Sequence, residues 1–408
     1  MKVYFKFIFF LAIIFTKTIY PHIFLLEKKP QDIYVRVLLS ERNSKFQNQF
    51  KIESESPFLL ETPYYNKKVW VNDKKINIKI YDDKIKIPVH KKGKTNLKTI
   101  NSKELKISTK KGSIKLNDTP YQGTIIFKIQ PKSNKLFIIN KLKLDDYIYS
   151  VLLSEIYQTW PHEMQKVQAV VSRTYAIYHM KQNQNRSKKL TYDIKKSNFH
   201  QKYNGYHNHK HLKEAIDETK GIIITHNNKI ALTMFDACCG GIIPAKMDYL
   251  DFKKAPYLAR TTPCNYCKNY SLYNWKRELN TNDFLQKLKD NINITSKLIN
   301  CGNLLKIIVT KKDAAGIAKQ VKLTCSKKNI ILTGNQLWDS MKNKILSLNF
   351  SINKINDKIV IEGKGFGHQM GLCQRGAKEL VSQGWDFKKI INFYYPDTNF
   401  SKLKYAEI

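Results

Sequence analysis

Glycine and proline are scarce, 16 and 12 among 408 residues, too few for a collagen-like repeat or a low-complexity linker chain. Past the N-terminus no uninterrupted apolar run reaches the roughly 20 residues of a membrane-spanning helix, which excludes a multi-span membrane protein. Acidic residues are also few: 33 Asp and Glu stand against 71 Lys and Arg, a formal charge of +38. Arginine is sparse within that excess. No zinc-finger spacing, helix-turn-helix cue or RNP-type aromatic motif accompanies it, so no nucleic-acid partner is expected. Lysine, isoleucine and asparagine are abundant throughout, as a coding bias would produce, while an acidic polymer stays open as substrate. What is present, 42% hydrophobic and 12% aromatic residues, makes a folded chain of two or three domains rather than a disordered polycation.

The first residues, Met1-Lys2-Val3-Tyr4-Phe5-Lys6, precede the apolar run Phe7 to Phe15. A positive start before a run of that length resembles a signal peptide. No small-x-small cleavage site follows, since Lys17, Tyr20 and Pro21 come instead. Residues 1–26 are therefore expected to be a signal peptide or a retained membrane anchor, and the chain to be exported: extracytoplasmic or periplasmic, secreted or tethered to the cytoplasmic membrane.

Seven cysteines occur, at 238, 239, 264, 267, 301, 325 and 373. Four cluster within 238–267 as Cys-Cys and a later Cys-x-x-Cys. Such spacing suits a structural zinc site, where two short loops each give two thiolates, or a pair of disulfides in an oxidising compartment.

Residues 27–142 read as a β-rich lobe. Short alternating runs such as Ile33 to Leu39, Ile76 to Tyr81 and Thr124 to Ile129 are separated by polar turns. The period changes at Leu144. Asp145 or Asp146 can cap a helix with Ile148, Val151 and Leu152 on its apolar face, and Pro161 can open a second running to about Lys181. The stretch Asn280 to Ile299 reads as helical, with strands at Lys306 to Val309 and Val321 to Thr324. Near the end, Gly363 to Gly371 packs glycines around His368 and leads into a helix reaching Gln383. Its spacing fits neither a P-loop nor a dinucleotide fingerprint. The fold class is α+β: a β-rich lobe, then a mixed core over 143–400 built on a helical pair and a Gly-rich loop.

Glu155 continues the apolar face of the first helix, where desolvation would raise its pKa as a general acid requires; otherwise it is an exposed helix end. Arg173 lies mid-helix among apolar neighbours, needing either an anionic partner or a route to water. No second acid stands beside Glu155, so a two-carboxylate glycosidase is not the natural reading.

Taken in order, Leu144-Asp145-Asp146-Tyr147, Ser154-Glu155-Ile156, Trp160-Pro161 and Gln168 to Tyr175 resemble the core motif of the SpoIID/LytB family. Tyr121-x-Gly123, Gln201-x-Tyr203-x-Gly205, Glu218 to Gly221, Cys239-Gly240-Gly241, Pro256-Tyr257-Leu258, Gly365-x-Gly367-His368, Gln374-x-Gly376-Ala377 and Tyr394-Tyr395-Pro396 extend the likeness over about residues 30 to 400. The resemblance implies a lytic transglycosylase that cuts peptide-stripped peptidoglycan strands, leaving 1,6-anhydro-muramyl ends, with an N-acetylmuramoyl-L-alanine amidase acting upstream. The alternative it implies is a non-catalytic, cell-wall-binding amidase enhancer. It makes Glu155 the catalytic acid and base, and Arg173, Tyr203, His368 and Gln374 substrate-binding residues. It requires no cofactor for the chemistry. Zinc held near the Cys-Gly-Gly segment in some relatives would here draw on Asp236, Cys239, Cys264 and Cys267. Against the family loop, Gln369 replaces Gly, Cys373 replaces Ser and Arg375 replaces an aromatic residue. Gln369 is expected to narrow the groove, and Arg375 to offer a further contact to an anion.

Overall fold

The computed structural model describes residues 32–403 except 63–66, 92–93, 101, 131, 198–199, 249 and 342. The expected signal peptide or anchor at 1–26 lies outside the described residues. No helix among those described is long and apolar enough to cross a membrane. The chain is α+β, as the alternation of strand and helix periods predicts.

The N-terminal lobe is built from two sheets whose strands from within the lobe pair antiparallel. Lys75–Tyr81 shows why: Ile76, Ile78 and Ile80 alternate with polar residues, and all three isoleucines are buried. Asn48–Glu53 pairs with it, and Phe50 and Ile52 face the same core as Phe58, Ile107 and Phe127 of the other sheet. In that other sheet Tyr34–Asn43 lies beside Lys135–Lys143, a strand whose residues Leu136 to Asn140 are all buried. The short strand Ile194–Lys195 adds in parallel to Tyr34–Asn43, so a segment from beyond residue 142 completes the sheet.

Among the described residues eight helices follow: α1 (Leu144–Glu155), α2 (His162–Gln184), α3 (Lys210–Glu218), α4 (Thr281–Lys289), α5 (Thr295–Leu298), α6 (Gly334–Ser340), α7 (Gln374–Ser382) and α8 (Phe387–Tyr394). Asp145 and Asp146 occupy the first turn of α1 rather than its cap, favourably placed for the helix dipole, and Pro161 stands one residue before α2. The long helix α2 is nearly surrounded, with its apolar face on the shared core and even Gln168, Ser172 and Arg173 buried. Phe235–Asp236 pairs in parallel with Leu372–Cys373, which lays the Cys-Cys-Gly-Gly segment against the Gly-rich loop.

One unit has no counterpart in the sequence reading, which treats 143–400 as undivided. Between Asn274 and Lys364 the chain leaves the core and returns, forming two three-stranded sheets with α4, α5 and α6. This nested lobe has a separate core that includes Phe284, Leu288, Ile307, Leu323, Leu337 and Ile359, and a disulfide joins Cys301 to Cys325. The expected helix over Asn280 to Ile299 is two helices, α4 and α5.

Candidate active site and thiol cluster

Glu155 is the last residue of α1 and half-buried. Its Oε1 accepts from the Lys202 backbone N–H at 2.5 Å. Burial raises its pKa, and Lys202, through that hydrogen bond and its charge, opposes the shift. The Gln-x-Tyr-x-Gly motif explains how Lys202 gets there. Gln201 is buried, accepts from the Tyr147 hydroxyl at 2.9 Å and donates to the Ser172 carbonyl at 3.4 Å. Tyr203 is buried between the rings of Tyr121 and Tyr147 and hydrogen-bonds Asn140. A Cβ on Gly205 would collide with the Pro120 carbonyl. Inward-facing residues on either side thus aim the intervening N–H at Glu155. Tyr203, 1% exposed, fixes this loop, and its expected role as a substrate contact gives way to that one.

Arg173 is also placed differently from its expectation. With no exposed surface, its guanidinium donates to the carbonyls of Thr219 at 2.8 Å and of Ile216 and Ile222 at 3.3 Å, with Asp145 3.6 Å away. Those carbonyls belong to α3 and the start of strand Ile222–His226, so Arg173 joins α2 to both. A guanidinium enclosed this way positions the helix; it does not line a groove.

Gln374 does meet Glu155. Its Nε2 is 3.3 Å from the Glu155 backbone carbonyl and 3.3 Å from Oε1 of Gln168, which in turn donates to Ser172 at 3.1 Å. The end of α1, the middle of α2 and the start of α7 are therefore tied by side-chain amides. His368 is partly exposed; its Nδ1 accepts from Met370 N–H at 3.1 Å and lies 3.9 Å from Asp236. Burial lowers its pKa to about 4, so the ring is neutral at pH 7.

Gln369 does not narrow the groove. It is 1% exposed and adopts a φ of 66°, the left-handed conformation that favours glycine. Its side chain turns inward to donate to the Cys239 carbonyl at 2.8 Å and the Lys364 carbonyl at 3.1 Å. These bonds offset the backbone strain and clamp the Gly-rich loop onto the cysteine segment. Gly367 has the opposite need: a Cβ there would strike Asp236.

Sulfur atoms of Cys239, Cys264, Cys267 and Cys373 lie within 4.8 Å of one another, and all four residues are buried. Cys373, whose signal in the sequence is only its place in the Gly-rich loop, therefore takes the position expected for Asp236. Asp236 hydrogen-bonds the Gln369 N–H instead, and burial raises its pKa. The Cys239 and Cys267 sulfurs are 3.7 Å apart, close to the roughly 3.8 Å separating two thiolates on a tetrahedral zinc with bonds of about 2.3 Å. Cys373 also accepts from the N–H groups of Cys239 at 3.3 Å and Gly376 at 3.4 Å, donors suited to a thiolate. Hydrogen bonds from neighbouring thiols lower the pKa of Cys264 and Cys267, whereas Cys239, through its bonds to those two, and Cys373, through burial, are raised. The four-cysteine set can hold a metal ion.

A β lobe packed on a helical pair, a half-buried carboxylate at the end of α1 tied to the start of α7, and a buried thiol cluster are the features of a chain whose sequence resembles known proteins. Residues 132–226 match the family described as Stage II sporulation protein, and residues 197–371 match a domain of unknown function. An uncharacterized protein of Brachyspira hyodysenteriae is 30% identical over 69% of this chain and 72% of its own. The amidase enhancer of Bacillus subtilis is 24% identical over 75% of this chain and 48% of its own length. Stage II sporulation protein D of Bacillus subtilis is 22% identical over 74% and 87%. The chain belongs to the SpoIID family.

Proposed function

We propose that this protein is an exported lytic transglycosylase acting on peptidoglycan strands already stripped of stem peptides. The observation that carries the reading is Glu155: half-buried, raised in pKa by that burial, and held from both sides by Lys202 and Gln374. A protonated Glu155 would give its proton to the glycosidic oxygen as the bond from muramic acid C1 breaks. The resulting carboxylate would then take the proton of the C6 hydroxyl, whose oxygen closes on C1 as a 1,6-anhydro ring. One carboxylate serves both steps and no water is consumed, so no second carboxylate is needed. His368 and Gln374 are assigned to the groove. Arg173 and Tyr203 are assigned to holding its walls.

The four-cysteine cluster is assigned to a structural zinc that ties the Cys-Cys-Gly-Gly segment to α7. The disulfide Cys301–Cys325 favours an oxidising, extracytoplasmic location, and the basic N-terminal apolar run favours export or tethering. An amidase would supply the stripped strands. The relative named amidase enhancer favours a second reading, a cell-wall module that binds glycan and assists such an amidase without cutting.

Mass spectrometry of products from amidase-stripped sacculi, comparing the native chain with Glu155→Gln, separates the two. Anhydro-muramyl fragments from the native chain alone are expected. Fragments from both would remove Glu155 from the chemistry, reducing ends would mean hydrolysis, and no fragments from either would favour the binding module.

A further inference from the structure

Arg375 follows Gln374 directly, yet its side chain goes to a different environment. Its guanidinium carbon lies 4.3 Å from the ring centre of Tyr270, 5.1 Å from Trp160 and 5.3 Å from Tyr157. Tyr157 and Trp160 come two and five residues after Glu155, and Gln374 donates to the Glu155 backbone carbonyl, so this aromatic cage adjoins the end of α1 that carries Glu155. The backbone is fixed as well, since Arg375 N–H donates to the Ala237 carbonyl at 3.1 Å. Among the described residues no carboxylate forms an ion pair with Arg375. The side chain is only partly buried, and Tyr157 is 61% exposed. Three rings hold the guanidinium in place and shield its faces, which leaves its N–H edge for a planar anion.

We infer that Arg375 and its aromatic cage form the subsite that recognises a free muramyl carboxylate next to the bond to be cut. The inference rests on the glycan reading of the same site. A peptide-bearing muramic acid has this group tied up as a neutral amide; a stripped one presents it as an anion. An unpaired, preorganised guanidinium distinguishes the two at little ordering cost. The anion contact that the sequence reading gave first to Arg173 thereby passes to Arg375, because Arg173 is enclosed by backbone carbonyls.

The test is equilibrium binding of stripped glycan strands to the full chain carrying Glu155→Gln, so that the ligand is not consumed. It is repeated with strands whose carboxylates have been converted to primary amides, at about 0.15 M salt to screen the general positive charge. Free-carboxylate strands are expected to bind about tenfold more tightly than amidated ones, the scale of one charge-assisted contact. Arg375→Gln should bring that ratio close to one, and Arg375→Lys, which keeps charge without the planar edge, should leave about threefold. A ratio near one in the parent chain, or a ratio that survives Arg375→Gln, would overturn the subsite while leaving glycan binding intact. Binding of neither form would overturn the subsite and the glycan reading together.

Discussion

Glu155 occupies a place where an ionised carboxylate is disfavoured twice. Burial raises its pKa, and the end of α1 surrounds it with the last turn's carbonyls, with no basic residue in that turn to balance them. A carboxyl group whose pKa is higher in the folded chain than in the unfolded one stabilises the fold fully below its unfolded pKa. That contribution is lost as the pH rises through the folded value. Glu155→Gln keeps the shape and the acceptor for Lys202 without the charge. The variant should therefore melt above the native chain at pH 7, by about 1–3 °C, with the difference closing below about pH 4. Thermal melts at the two pH values check this. A variant that melts lower at pH 7 would mean that the site favours the ionised form, contrary to the role of a general acid. The sequence already carried the essentials of this residue, since i+7 from Ile148 placed it on the apolar face. The burial of Arg173 and Tyr203 was not legible for one reason: their partners, the carbonyls of Thr219, Ile216 and Ile222 with the Asp145 carboxylate, and the rings of Tyr121 and Tyr147, come mostly from distant segments that no local spacing reveals.

At the scale of elements, the N-terminus of α7 joins three tasks in consecutive residues. Cys373 caps the helix and completes the thiol set, Gln374 reaches Glu155, and Arg375 enters the aromatic cage. Cys239 and the Cys-x-x-Cys pair were legible from their spacing, whereas Cys238, the other half of the Cys-Cys pair, is not in the set. The fourth thiol, Cys373, was not legible, because it arrives through the parallel pairing of Phe235–Asp236 with Leu372–Cys373, a contact between remote parts of the chain. Two variants test the assignment. Cys373→Ser replaces a thiolate by a weak ligand. Gly376→Ala places a Cβ 2.7 Å from the Cys264 sulfur and against the Tyr394 hydroxyl. Native protein purified without chelator should hold about one zinc per chain, and each variant should lose it at least tenfold faster to a competing chelator, read by metal analysis and thiol titration. Metal-free native protein, or unchanged retention by Cys373→Ser, would remove the structural metal.

At the scale of the whole molecule, a separately packed lobe is inserted into the main core, and the junction bears on the candidate site. The lobe's returning strand Lys358–Lys364 runs straight into the Gly-rich loop. Three contacts tie that loop back: Trp275 Nε1–H donates to the Gly365 carbonyl at 2.7 Å, Gly365 N–H to Tyr273 at 2.8 Å, and Gly367 N–H to Leu346 at 3.0 Å. Such a lobe was invisible in the sequence because no linker composition marks its edges and its strands share the lysine- and isoleucine-rich character of the rest. Its disulfide closes a loop of sequence separation 24, which in the chain-entropy picture is worth about 3 kcal/mol. Replacing Cys301 and Cys325 together by alanine should therefore loosen the lobe first, since its core is separate from the main one. Because His368 is carried on the loop that the lobe anchors, the effect should reach the site. Hydrogen exchange is expected to accelerate through 274–364 and on through Gly365 to Gly371, while α1 and α2 keep their protection. Product formation should fall although Glu155, Gln374 and Arg375 are untouched. A loop that stays protected while the lobe opens would mean instead that the Gln369 clamp to Cys239 suffices to hold it, and the lobe would then be uncoupled from the candidate site.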